Sequence, residues 1–312
     1  MKCDRRTVLR GAGAAIAGVG GIVGTTEVAA GKRYRRMPVD TDRTLFDVVG
    51  TRAGPFAVGM EGTLVRRGEE RYYPVIEGGP FGKHGHLYGI DVTDDGRRVW
   101  IAGDEGIIGE YDVETGKLRL HELEVERPFV DIGVTGRVGE GTIYLVDDRG
   151  YVHYTFDYGE TGEKIEVGHG APMVALDRFG TRGGLVLDMD GCVFGTYEGE
   201  KWEEFGIEGT ERYFFDIAGT RHHVGVVGED GRFYYYDGEK WERFVLGKPD
   251  LLALDYRLTD MLGVTVGFDG ALFEYRDRWH RMDVPFDRPL FGTFVGERVV
   301  AVGDDGAIFE RR

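Results

Sequence analysis

One short pattern recurs seven times along the chain, at a spacing that few folds can use. An apolar pair is followed by Gly or Asp, any residue, usually an acidic residue, and then Gly. The copies are Val58-Gly59-Met60-Glu61-Gly62, Ala102-Gly103-Asp104-Glu105-Gly106, Val146-Asp147-Asp148-Arg149-Gly150, Leu187-Asp188-Met189-Asp190-Gly191, Val227-Gly228-Glu229-Asp230-Gly231, Val266-Gly267-Phe268-Asp269-Gly270 and Val302-Gly303-Asp304-Asp305-Gly306. Successive final glycines are 44, 44, 41, 40, 39 and 36 residues apart. Asp-Gly or Glu-Gly supplies the positive-φ positions of a tight hairpin, and alternating apolar residues flank it, as in Val224, Val226 and then Phe233, Tyr235.

Two further elements repeat with the hairpin. About ten residues after it comes a polar turn and an aromatic residue, as in Gly199-Glu200-Lys201-Trp202, Gly238-Glu239-Lys240-Trp241 and Arg276-Asp277-Arg278-Trp279. Upstream of each hairpin lies an apolar stretch such as Leu45-Phe46-Asp47-Val48-Val49 or Phe214-Phe215-Asp216-Ile217-Ala218. Each unit therefore reads as four strands, A to D, in about forty residues, the period of a propeller blade. The expected fold is an all-β, seven-bladed β-propeller, with blades near 45–84, 85–126, 127–168, 169–208, 209–247, 248–285 and 286–312 plus 32–40.

The last blade carries the sharpest expectation. Gly306 leaves room for only a third strand before Arg312. The missing fourth strand has a match near the start of the chain: Tyr34-Arg35-Arg36-Met37-Pro38-Val39 parallels Trp279-His280-Arg281-Met282-Asp283-Val284. An N-terminal strand near 33–39 should thus complete the last blade and close the ring. A β-helix or a pair of β-sandwiches does not predict that permutation.

Composition fits this fold and narrows the setting. Glycine accounts for 52 of 312 residues, more than double ordinary usage, with only 9 prolines. Net charge is −16, and no basic run interrupts the body, so nucleic acid is not an expected partner. Of the 39 basic residues only 8 are lysine, and acidic surplus with lysine depletion matches proteins that work in strong salt. Residues 1–30 read as a twin-arginine export segment: Asp4-Arg5-Arg6-Thr7-Val8-Leu9-Arg10, an uncharged Gly/Ala-rich stretch to Thr26, then Val28-Ala29-Ala30 at a cleavage site. A retained N-terminal anchor is the alternative. After cleavage no membrane span is expected, and the protein should be extracellular or at the cell surface, as a monomer. Cys192 would be the one remaining cysteine, placed in a strand as a small apolar residue, so no intramolecular disulfide is available.

These blades resemble the photosystem-II stability/assembly-factor-like propellers and the bacterial-neuraminidase-repeat superfamily, over nearly all of residues 32–312. The resemblance implies architecture rather than activity, since many functions sit on such blades. A neuraminidase-type Asp-box needs Ser/Thr-x-Asp-x-Gly-x-Thr-Trp between strands C and D, and only Asp237-Gly238-Glu239-Lys240-Trp241 and similar remnants stand there. The tryptophans are better read as packing between blades.

In a propeller the D–A and B–C connections share one face, and strand A lines the central channel. Strand A carries Asp47, Asp91, Asp131, Asp177, Asp216 and Asp255 in six blades, with Gly292-Thr293 in the seventh. Asp91, Asp177 and Asp255 sit about two residues off the register of the other three. Arg43, Arg127 and Arg212 each precede an aspartate by four residues, and Arg288 precedes Gly292 without one. An arginine ring at the channel mouth suits a carboxylate, a phosphate or a peptide. Its structural alternative is arginine bonded to acids between adjacent blades. The longest irregular loop, residues 77–86, holds His84 and His86. With His169 these are candidates for ligand contact, without spacing that enforces a metal site. No cofactor is expected. The function expected is a non-catalytic binding or scaffold protein that engages a protein, peptide or small anionic ligand at the mouth. The competing reading is a secreted carbohydrate-active enzyme, a glycoside hydrolase, sialidase-like enzyme or lyase, which needs an asymmetric pocket and paired carboxylates.

Overall fold

The computed structural model describes residues 34–312 apart from 83, 122–126, 208–212, 221 and 258–261. The export segment therefore lies outside the described residues. The chain forms seven four-stranded antiparallel sheets. Six are simple meanders, A-B-C-D in chain order. The inner strands A are Leu45–Thr51, Leu87–Val92, Phe129–Val134, Met173–Phe179, Phe214–Thr220, Leu251–Arg257 and Leu290–Val295. Each sheet packs apolar side chains against its neighbours. Trp241 of blade five shows the mode: it stacks on Phe205 of blade four at 6.2 Å and donates Nε1–H to the Phe205 carbonyl at 2.8 Å.

The seventh sheet closes as expected. The N-terminal strand Arg35–Arg36 pairs antiparallel with Ile308–Arg311, with Arg35 opposite Glu310. Met37 N–H bonds the Ile308 carbonyl at 2.8 Å, just as Met282 N–H bonds Leu272 in blade six. Two buried carboxylates lock this blade to its neighbours. Glu274 of blade six accepts from Tyr34 Oη at 2.7 Å and from Arg311 Nε of blade seven. Glu310 of blade seven accepts from Arg67 Nε at 2.7 Å, Tyr72 Oη at 2.8 Å and Arg298 Nη1 at 3.2 Å. Burial, and then the adjacent glutamate, push both tyrosine hydroxyls well above their ordinary pKa.

The recurring hairpins take two forms. In five, an acidic residue and the following glycine both adopt positive φ, as at Glu61 (53°) and Gly62 (66°), or Asp269 (55°) and Gly270 (61°). Thr63 N–H then bonds the Met60 carbonyl, giving a type I′ turn. In blades three and four an aspartate replaces the first glycine and supports the turn itself. Asp147 Oδ1 accepts from Arg149 and Tyr151 N–H, and Asp188 Oδ1 accepts from Asp190 and Cys192 N–H.

Candidate functional site

The strand-A aspartates face the axis region, but they are bonded into the wall. Asp47 Oδ1 accepts from its neighbour Val48 N–H at 2.8 Å, and Oδ2 from Ile90 N–H of the next blade at 3.2 Å. Asp131 repeats this with Ile132 and Leu176, and Asp216 with Ile217 and Leu254. One pleat further along, Asp91 bonds Val92 and Val134, and Asp177 bonds Arg178 and Gly219. Asp255 reaches Val295 N–H of blade seven at 2.6 Å. The two-residue offset in the sequence is thus a real alternation between two heights around the ring.

Burying so many carboxylates perturbs them. Asp177 is pushed up to about 6, chiefly by burial, with Asp91 adding to the rise and the Arg178 charge and two amide bonds opposing it. Asp216 is also raised, by burial first and then by Asp131 and Asp47. Arg178 spans from blade four to blade two, with Nε 3.0 Å and Nη2 3.2 Å from the two oxygens of Asp91. It passes Gly133 of blade three, where an added Cβ would lie 3.0 Å from Arg178 Cγ.

An axial cavity of about 400 Å³ remains, lined by the later residues of the strands A, including Asp91, Arg178, Phe179 and Phe294. Towards the D–A face the axis is filled instead. Phe46, Tyr88, Phe215, Leu252 and Phe291 form one buried cluster, with the half-buried Phe268 packed on it. His86 lies 6.1 Å from the Phe46 ring and 6.0 Å from Tyr88. The D–A face is therefore a floored platform.

Three of the arginines expected at the mouth, Arg43, Arg127 and Arg288, lie on this platform, each held by the B–C hairpin of its own blade. Arg43 Nε bonds Glu61 Oε2 at 2.9 Å, and its Nη1 is 3.5 Å from Glu77. Arg127 is 3.9 Å from Asp148. Arg288, which the sequence left without a local partner, pairs with both Asp304 (2.8 Å) and Asp305. The hairpin returns a carboxylate to the site from sixteen or seventeen residues downstream, a contact that counting four residues along the strand does not reveal. Arg212 lies outside the described residues. His86 is fixed: its Nδ1 accepts from Glu61 N–H at 3.1 Å, and its backbone N–H donates to Asp104 Oδ2 at 3.0 Å. His84 is exposed beside Gly78, and His169 is exposed with Nε2 4.0 Å from Glu204. Among the described residues no three His, Cys, Asp or Glu side chains converge to hold a metal ion.

Sequence reading missed Arg178, Phe179 and Phe294, which break the sevenfold symmetry of the channel. A signal was present. Arg178 occupies a strand-A position held by Gly50, Val92, Val134, Gly219 and Val295 in other blades.

Comparison with solved structures agrees with the fold. The chain is similar to "YCF48 bound to D1 peptide" (TM-score 0.73, 17% identity, covering 93% of this chain and 99% of that one). YCF48 from Cyanidioschyzon merolae aligns at TM-score 0.70 and 15% identity, over 90% of this chain and 99% of that one. Virginiamycin B lyase from Staphylococcus aureus aligns at 0.74 and 12%, over 89% and 98%. No family model and no curated protein matches the sequence. The protein is a seven-bladed β-propeller. Identities this low carry the architecture alone. Among the described residues no helix is long and apolar enough to cross a membrane.

Proposed function

We propose that this propeller is an exported, monomeric, non-catalytic binding protein that takes a protein or peptide partner on its D–A face. The observation that carries the reading is the floor of that face. The apolar cluster around Phe46 and Phe291 closes the axis there, and Met60 (38% exposed) and Tyr213 (57% exposed) are exposed on the same face. A firm platform with apolar residues inside a polar rim suits a macromolecular partner. A small anion is less suited, because Arg43, Arg127 and Arg288 already face hairpin carboxylates. Binding is favoured over carbohydrate chemistry because the axial aspartates direct their oxygens to backbone amides. That one propeller of similar fold has been solved with a peptide bound lends support without naming a ligand.

The test is an unbiased peptide-display selection on the purified protein, followed by variants on each face. Met60→Asp with Tyr213→Asp should weaken selected binders by about tenfold or more, and Tyr197→Ala on the opposite face should leave them unchanged. The reverse pattern moves the site to the other face. Export is tested separately. Residues 1–30 fused to a folded reporter should direct it out of the cytoplasm, and Arg5→Lys with Arg6→Lys should retain it.

A further inference from the structure

We infer that the axial cavity on the A–B side is a second binding site, and that it takes a small organic cation with an apolar body, such as an arylalkylamine. The site lies away from the D–A platform and does not rest on the reading just given. The cavity measures about 400 Å³, within the ordinary range of small-molecule sites. The Phe46 cluster closes it towards the D–A face. Arg178, Phe179, Thr220 and Phe294 line it and are partly exposed, so it opens to solvent at the far ends of the strands A.

Two aspartates at one height in the cavity wall differ in how they are completed. A carboxylate has about four acceptor sites. Asp91 fills all four, with Val92 and Val134 N–H and with Nε and Nη2 of Arg178. Asp177 holds the same strand position two blades on, and takes only Arg178 and Gly219 backbone N–H. Among the described residues no cation stands within ion-pair distance of it. The Arg178 guanidinium acts on it at longer range and is paired with Asp91. That guanidinium reaches Asp91 from two blades further round the ring, past Gly133. The corresponding residues for Asp177 are Tyr256 and Ala218, so the sequence supplies neither a second guanidinium nor the glycine it passes. Asp177 is buried in the wall without a paired cation, and burial pushes its carboxyl up to about 6. A bound ammonium or guanidinium would relieve that cost, as Arg178 does for Asp91. The wider lining agrees: its charged residues are five aspartates and one arginine, so the field favours a cation over an anion. Phe179 of blade four and Phe294 of blade seven add aromatic surface for the apolar body.

The experiment titrates the full chain with three probes of similar shape, phenethylamine, 2-phenylethanol and phenylacetate, followed by ligand-observed NMR. Phenethylamine should bind at least about tenfold tighter than the other two. Asp177→Asn should bring the amine down to the level of the alcohol and leave alcohol binding in place, which separates a lost charge from a lost cavity. Phe294→Ala should weaken all three probes, and it locates the site even where Asp177→Asn does not fold. Glu105→Gln removes the same charge from an exposed hairpin on the D–A face and should leave the amine preference intact. Circular dichroism checks that each variant folds. Preference for phenylacetate, equal binding of the three probes, or no binding of any of them would overturn the inference. So would amine binding that is unchanged in a folded Asp177→Asn or Phe294→Ala variant, or an equal loss in Glu105→Gln, which would mean attraction to net charge alone.

Discussion

Six of the seven blade junctions are joined at the axis by an aspartate, and the seventh, between blades seven and one, is not. The difference follows from counting donors. Strand A offers an upper and a lower amide at the axis, such as Ile90 and Val92 in blade two. One bonds the blade's own aspartate and the other bonds that of the blade before. Neighbouring blades must therefore place their aspartates at different heights: Asp47 high, Asp91 low, Asp131 high, Asp177 low, Asp216 high, Asp255 low. A ring with an odd number of members cannot alternate without one break. In blade seven a high aspartate at position 292 would compete with Asp47 for Val48 N–H, and a low one at 294 would compete with Asp255 for Val295 N–H. The chain has Gly292 and Phe294 there. The Phe294 ring fills the space beside Gly50, where an added Cβ would fall within 2.3 Å of ring carbons. The break coincides with the blade assembled from both chain ends, and the outer Glu274 and Glu310 networks hold that blade instead.

The largest test of this contrast removes the closing strand. Deleting residues 1–39 takes away Tyr34, Met37 and the edge partner of Ile308–Arg311, and strips Glu274 of one donor. A loss of about 5 kcal/mol or more is expected, which is a fall of over about 10 °C in Tm for a domain of this size. An unchanged Tm would mean that the ring does not depend on its closure. Next is Glu310→Gln against Asp131→Asn. The first removes the buried carboxylate that the half-buried Arg67 and Arg298 share and should cost about 3–5 kcal/mol. The second weakens one amide contact and should cost about 1–3 kcal/mol. Urea midpoints in the opposite order would show that the axis, rather than the outer network, holds the weak junction. A smaller effect is expected at the break itself. An added Cβ on Gly292 lies 2.7 Å from the Phe46 carbonyl oxygen and 2.8 Å from Asp47 Cα, so Gly292→Ala should cost about 1–3 kcal/mol. Gly292→Asp should cost more, although aspartate occupies the aligned position in blades one, three and five. A stabilised Gly292→Asp would refute the donor-competition account.

Much of this architecture was legible because repeats print themselves in sequence. The hairpin glycines gave blade number, and Tyr34–Val39 gave the closure, since both depend on local strand and turn chemistry. The two-residue stagger of the aspartates was visible too, but not its cause. That cause lies in amide donors from the next blade, some forty residues away, which carry no side-chain signature. The same limit applied to the arginines. Arg288 looked unmatched because its partners, Asp304 and Asp305, return through a hairpin. The floor of the D–A face was hidden for another reason: Phe46, Tyr88 and Phe291 read as ordinary strand residues until seven strands converge on one axis.

The smallest effect sought is in pH, and its sign separates axial from peripheral carboxylates. Burial holds Asp177 up at about 6 in the folded protein, whereas an unfolded aspartate titrates near about 3.9. Between those values the folded chain keeps a proton that the unfolded chain has lost. The Asp177 contribution is therefore most favourable below about pH 4 and is lost as pH rises through about 6, a swing of at most about 3 kcal/mol. Asp147 behaves oppositely. Burial works against its charge, but hydrogen bonds from His153, Arg149 and Tyr151 outweigh it and hold the carboxyl below its usual range. Its contribution is present above about pH 4 and disappears as pH falls through the lower folded value. Urea midpoints of wild type and Asp177→Asn between pH 4 and 8 isolate the first effect, because histidines and peripheral carboxylates are common to both chains. The wild type should gain stability relative to the variant on acidification from pH 7 to 4. Parallel curves across that window would mean that the axial carboxylate titrates as an ordinary aspartate, with no burial penalty for the alternation to carry.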